Sequence, residues 1–191
     1  MTIDARKPQI AVCGWSGTGA REVSLQLLDR LEGWEIIDPD YEKFENMAVE
    51  RYPEYSKEVA VATLERRKVE HLCPVDFFCD SELRLRANNK RVIANARLAA
   101  HFLPESFKVL LCCSDAVRFD RVARSLNVSY KDAKLMTSAE EWEYLLKVRE
   151  SYGLTSLEDQ GPFDLVLNTG IISIADVVDG ILSSWYDEMC K

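Results

Sequence analysis

The residues that could do chemistry begin with Gly14-Trp15-Ser16-Gly17-Thr18-Gly19, set between an apolar run, Gln9-Ile10-Ala11-Val12-Cys13, and a helical pattern that opens at Ala20. Glycines at such a junction let the chain curl until its N–H groups converge on phosphate oxygens. The helix behind adds the positive end of its dipole. Arg21, one step into that helix, could turn back over the loop and fork onto two phosphate oxygens. The other reading of Arg21 is a solvated first-turn arginine. Asp38 and Asp40, flanking Pro39, could hold a magnesium ion, and capping or turn roles account for them equally well.

Three readings of the glycine turn stand open. It could be a structural strand-to-helix turn. It could be a dinucleotide-binding turn with Asp38 as the ribose ligand, although that pattern wants glycine where the chain has Glu22, and a strand soon after Asp38. It could be a modified mononucleotide P-loop, which normally continues with Lys and then Ser or Thr; here the two positions are Ala20 and Arg21.

The elements that must position these residues follow from periodicity. Buried-strand patterns occupy 9–13, 34–38, 91–94, 107–112 and 163–167. Helical patterns cover 20–31, much of 41–89, a stretch capped by Ser114 or Asp115 and running to about 126, 130–152 after a Ser129 cap, and 174 to about 186. A break near Thr137-Ser138 is expected within 130–152. Strands alternating with helices predict an α/β fold with a parallel sheet covered on both faces. The whole chain, 1–191, reads as one domain, and the insert at about 41–89 is too long for an ordinary crossover.

Composition narrows the function classes. The 191 residues carry 24 Lys+Arg against 32 Asp+Glu, a formal charge of -8, which argues against broad electrostatic binding of nucleic acid or anionic membrane. No apolar run approaches a membrane span, and Met1-Thr2-Ile3-Asp4-Ala5-Arg6-Lys7 has no secretory pattern. The cysteines sit mostly in apolar segments, as reduced thiols of a cytoplasmic protein do. His71, Cys73 and Cys79 lack a zinc-site spacing, so no metal centre is expected.

Several segments, in order, resemble the cytidylate kinase-like branch of the nucleoside monophosphate kinases. Gly17-Thr18-Gly19-Ala20-Arg21-Glu22-Val23 is similar to a G-S-G-G-R-E-I loop variant, and Phe44-Glu45-Asn46-Met47-Ala48 to an F-R-x-x-A helix. Arg91-Val92-Ile93-Ala94-Asn95-Ala96-Arg97-Leu98-Ala99 is similar to V-V-I-E-G-R-L-A. Val117-Arg118-Phe119-Asp120-Arg121-Val122-Ala123 and Val128-Ser129-Tyr130-Lys131-Asp132-Ala133 resemble the approach to a lid at about 128–152, and Phe163-Asp164-Leu165-Val166-Leu167-Asn168-Thr169 the last strand.

The resemblance implies a P-loop three-layer α/β/α fold with a five-stranded parallel sheet, a helical monophosphate-binding lobe and a short lid. It implies ATP with magnesium as donor and a pyrimidine monophosphate as acceptor. Residues 14–21, that is Gly14, Trp15, Ser16, Gly17, Thr18, Gly19, Ala20 and Arg21, would bind nucleotide. Arg21, Arg97 and Arg121 would be the catalytic cations, with Asp38, Asp40, Arg97 and Lys147 toward the acceptor. Arg97 is otherwise expected to pair with Asp38 or Asp40, and Arg118 and Arg124 to lie on a solvated helix face. Trp15 could cover a base or the lid, or pack on the first helix. The chain departs from the family at Ala20, at Glu45, at Pro39-Asp40 and along Met136-Thr137-Ser138-Ala139-Glu140-Glu141-Trp142, where cations, a small hydroxyl or glycine are expected. Impaired phosphoryl transfer, or nucleotide binding without catalysis, is the expectation that follows.

Overall fold

A computed structural model describes residues 9–38, 78–88 and 90–190, with the isolated positions Asn46, Pro53, Glu54 and Ser56. Five strands are described: β1 (Gln9–Gly14), β2 (Glu35–Ile37), β3 (Val92–Asn95), β4 (Phe107–Cys112) and β5 (Leu165–Asn168). All pair in parallel in the order β2-β3-β1-β4-β5. The helices are α1 (Ala20–Arg30), α2 (Phe78–Ala87), α3 (Ala99–Phe102), α4 (Asp115–Leu126), α5 (Tyr130–Tyr152) and α6 (Ile174–Met189).

The alternation of side chains along β1 divides the core between the two sheet faces. Ile10 and Val12 join Val23 and Leu27 of α1, Val109 and Leu111 of β4, and Val177, Ile181 and Trp185 of α6. Ala11 and Cys13 join Leu83 and Ala87 of α2, Phe102 of α3, and Tyr144 and Val148 of α5. Helices therefore cover both faces, and the fold is the expected three-layer α/β/α arrangement with a five-stranded parallel sheet. Trp34 and Trp185 meet edge to face at 5.2 Å and close the α1–α6 side.

The helix caps hold where the sequence places them. Ser114 accepts from the Val117 amide and Ser129 from the Asp132 amide, each satisfying an N–H that its helix leaves open. The break expected near Thr137-Ser138 is absent. α5 runs unbroken because Thr137 is buried on the same side as Ala133, Tyr144 and Val148, so the helix is anchored along its length. α3 and a 3₁₀ turn at Leu157–Gln160 were not in the sequence pattern. Of the insert at 41–89, the structure describes α2 and a few single positions; Pro39, Asp40, Phe44, Glu45, His71 and Cys73 lie outside the described residues, as does the Cys79 side chain. No helix among the described residues is long and apolar enough to cross a membrane.

Leu27 is fully buried between α1 and α6, whereas Leu25 on the same helix is 37% exposed. Leu27→Ala should cost about 2–5 kcal/mol of stability in urea unfolding, the range for a truncated core leucine. Leu25→Ala should cost markedly less, since its side chain leaves a smaller void and less apolar area to re-expose.

Candidate functional site

Central strand β1 ends at Gly14, and the loop that follows lies at the carboxyl edge of the sheet, where β1 has β3 on one side and β4 on the other. Open α/β sheets bind ligands at such a point. Within the loop the Thr18 amide and hydroxyl both donate to the Trp15 carbonyl, at 3.1 and 2.8 Å. Gly17 and Gly19 adopt positive φ, 83° and 85°. At Gly17 glycine is required twice over, because a β-carbon there would stand 2.5 Å from the Arg118 carbonyl oxygen.

Three successive loop carbonyls are held from one side. Arg118 Nη1 donates to Ser16 O at 3.1 Å, Arg121 Nη1 to Gly17 O at 3.1 Å, and Thr169 Oγ1 to Thr18 O at 2.8 Å. Arg121 also donates to the Thr169 hydroxyl and carbonyl, at 3.0 and 2.7 Å, which locks α4, the end of β5 and the loop together. On the other side, the amides of Gly17, Gly19 and Ala20 donate to no protein group among the described residues. Gly19 is the N-cap of α1 and has no side chain to cap it. Converging free amides at a helix N-terminus form an anion-binding concavity.

Arg118 overturns the solvated-face expectation. It is 5% exposed, forks onto both oxygens of Glu141 at 2.5 and 3.1 Å, and reaches Asp115 at 2.8 Å. Burial pulls its pKa down, but the hydrogen bonds and charges of Glu141 and Asp115 outweigh that and raise it, so it stays a cation. Arg124 does lie on the solvated face, paired with Asp120. The i, i+3 spacing puts these arginines on adjoining parts of the helix surface; only the fold says that α5 covers the part holding Arg118.

Arg97 stands after β3 and also faces the loop. Its Nη2 donates to Ser16 Oγ at 3.1 Å and to Glu140 Oε1 of α5 at 2.6 Å. Its guanidinium lies 4.8 Å from the Tyr144 ring and 5.5 Å from that of Trp15, and the two rings meet edge on at 6.0 Å. Trp15 thus packs on α5 rather than on α1. Arg97 pairs with Glu140, and Asp38 stands 3.4 Å from Arg21 and accepts from the Asn95 amide at 2.9 Å; Asp40, the other carboxylate expected for Arg97, lies outside the described residues. Arg21 is accordingly directed toward the ends of β2 and β3. Lys147 is half-buried on α5, one turn after Tyr144.

Gln160, which no sequence motif marks, orients this group. Its Nε2 donates to the Arg97 and Leu157 carbonyls at 2.7 and 2.9 Å, and its Oε1 accepts from the His101 amide at 3.2 Å. The signal was present in Ser156 and Asp159, whose reciprocal capping box starts the turn that ends on Gln160.

The magnesium ligand of a P-loop is the hydroxyl that follows its lysine. Position 21 carries a guanidinium instead, and the neighbouring carboxylate, Asp38, is bonded to Arg21 and Asn95. No group of three or more His, Cys, Asp or Glu suited to a metal occurs among the described residues. The described residues do not fit magnesium at that place.

No family model matches the chain. Over 194 residues it is 24% identical to an S-adenosylmethionine-dependent nucleotide dehydratase of Lacinutrix mariniflava, covering 94% of this chain and 36% of that protein. Over 96 residues it is 29% identical to a cytidylate kinase of Methanothrix thermoacetophila, covering 50% of this chain and 55% of that one. The chain thus spans about a third to a half of these relatives' lengths. A solved structure of an uncharacterized Eubacterium ventriosum protein shares the fold, with a TM-score of 0.58 at 14% identity over 92% of this chain and 96% of that one. The similarity to the cytidylate kinase and to the nucleotide dehydratase is weak.

Three substitutions bear on the loop's geometry, one of them as a reference. Gly33 also has positive φ, but nothing lies within 4 Å of a β-carbon there. Gly33→Ala should therefore cost about 1–2 kcal/mol, the left-handed penalty alone, and Gly17→Ala should cost clearly more in the same urea titration. Arg118→Ala should cost about 3–5 kcal/mol, because it leaves the largely buried Glu141 without its partner.

Proposed function

We propose that this chain binds a nucleotide by its phosphates at the 14–20 loop. The observation that carries the reading is the one-sided pinning of the Ser16, Gly17 and Thr18 carbonyls, which leaves the Gly17, Gly19 and Ala20 amides at the head of α1 for an anion. The weak likeness to a cytidylate kinase supports CMP or a related pyrimidine monophosphate as acceptor and ATP as donor.

Phosphoryl transfer runs on fixed cations around a transition state of spreading negative charge. Ala20 supplies none, Arg118 and Arg121 are engaged with the loop's own carbonyls, and Arg97 holds Glu140. The reaction we propose is accordingly slow. A second reading, nucleotide binding without catalysis, is favoured by that same engagement of the arginines. Neither reading assigns magnesium to a residue of the loop.

Calorimetry with ATP, ADP, CMP and inorganic phosphate tests the binding. An affinity in the millimolar range or better is expected for at least one of them, and none for any of them would remove the proposal. Conversion of CMP by ATP, followed with and without magnesium, should run below the ~1–100 s⁻¹ usual for kinases. Ala20→Lys with Arg21→Ser should raise that rate if the chain is an enzyme. No turnover by either version would leave the binding reading.

A further inference from the structure

Among the described residues, the charges around the loop come close to cancelling. Four guanidiniums lie at it: Arg21, Arg97, Arg118 and Arg121. Four carboxylates pair with them: Asp38 stands 3.4 Å from Arg21, Glu140 is bonded to Arg97, and Glu141 and Asp115 to Arg118. Two of those carboxylates, Glu140 and Glu141, are neighbours on α5, and their part of the helix is fixed by the buried Tyr144 and Val148. The pair stands beside the loop in a place from which it cannot easily withdraw.

The two carboxylates do different work. Glu141 is 13% exposed and serves Arg118, which is committed to the Ser16 carbonyl. Glu140 is 35% exposed and serves Arg97, whose same Nη2 touches the Ser16 hydroxyl at the loop's rim. An anion on the loop therefore meets Glu140 as a competitor for Arg97 and as a like charge. The repulsion grows with every negative charge the ligand brings.

We propose that Glu140 determines which nucleotides the loop accepts, by opposing highly charged phosphate chains and favouring a nucleoside monophosphate over the triphosphate of the same base. The inference rests on the reading that the loop binds nucleotide phosphates. It also gives that reading a reason for slow transfer from ATP: the donor is the ligand against which Glu140 acts hardest.

The test is calorimetry on the full chain in EDTA, with the pairs CMP and CTP, and AMP and ATP. The wild type should bind the monophosphate of a pair no more weakly than the triphosphate. Glu140→Gln keeps the shape and removes the charge, and it should tighten triphosphate binding by about tenfold and monophosphate binding by about threefold or less. Glu140→Asp keeps the charge and should keep the monophosphate preference. Glu143→Gln, an exposed carboxylate on the same helix, should leave the ratio unchanged. A general loss of stability would weaken both ligands together, so the ratio separates a charge effect from a structural one. A ratio unmoved by Glu140→Gln, or moved as far by Glu143→Gln, would overturn the inference and leave the binding site standing. If neither wild type nor variants bind any of the four nucleotides, the reading of the loop falls and the inference falls with it.

Discussion

A chain that turns its N–H groups to one side must turn its carbonyls to the other, and a carbonyl withdrawn from water needs a donor. That constraint governs the edge of this sheet. Ser16, Gly17 and Thr18 present their oxygens to Arg118, Arg121 and Thr169. Leaving one such group unmet would cost about 1–3 kcal/mol. The requirement fixes the start of α4 and the residue after β5 against the loop. It also explains the glycine at 17, whose backbone passes against Arg118 too closely for any side chain. The fold around the site is arranged to keep six residues of backbone in one conformation.

The same constraint sets what the site can offer a ligand. A guanidinium has five N–H donors and one charge, and Arg118 divides its donors among Ser16, Glu141 and Asp115. Arg121 spends its own on Gly17 and Thr169. Cations used in this way hold the loop in shape and have few donors left for anything else. In a P-loop the mobile charge is the lysine, and here that position is Ala20. On the proposed reading, binding by backbone amides would survive the loss, because it needs only the loop's shape, and transfer of charge across the loop would suffer.

Strands and helices were legible in the chain because their periodicity is a local property. The five apolar runs are the five strands, with ends displaced by a residue or two, and Ser114 and Ser129 cap the helices expected of them. What was not legible depends on which face covers which. The spacing of Arg118, Arg121 and Arg124 shows that they share a side of α4, and it cannot show that α5 brings Glu141 onto one of them and leaves another in water. Thr137-Ser138 reads as a weak point by propensity, yet burial of Thr137 overrides it. Gln160 carries no motif of its own. Its role exists because β3 and the Leu157–Gln160 turn meet in space.

Trp15 shows how the pieces combine. A bulky aromatic inside a glycine loop costs the loop nothing if the ring leaves it, and this one leaves toward α5, where it meets Tyr144 and flanks Arg97. The edge-to-face pair contributes about 0.5–1.5 kcal/mol beyond its buried area, and the Arg97–Glu140 pair closes the same gap. α5 is therefore tied to the loop at its rim by an edge-to-face ring pair and an ion pair, and to the core below by Tyr144 and Val148. Swinging α5 away as a rigid lid would break all of these at once. The Arg97–Glu140 pair belongs to the same set, because Arg97 also donates to Ser16 and lies against the Tyr144 and Trp15 rings, so the ion pair and the ring packing hold one another in place.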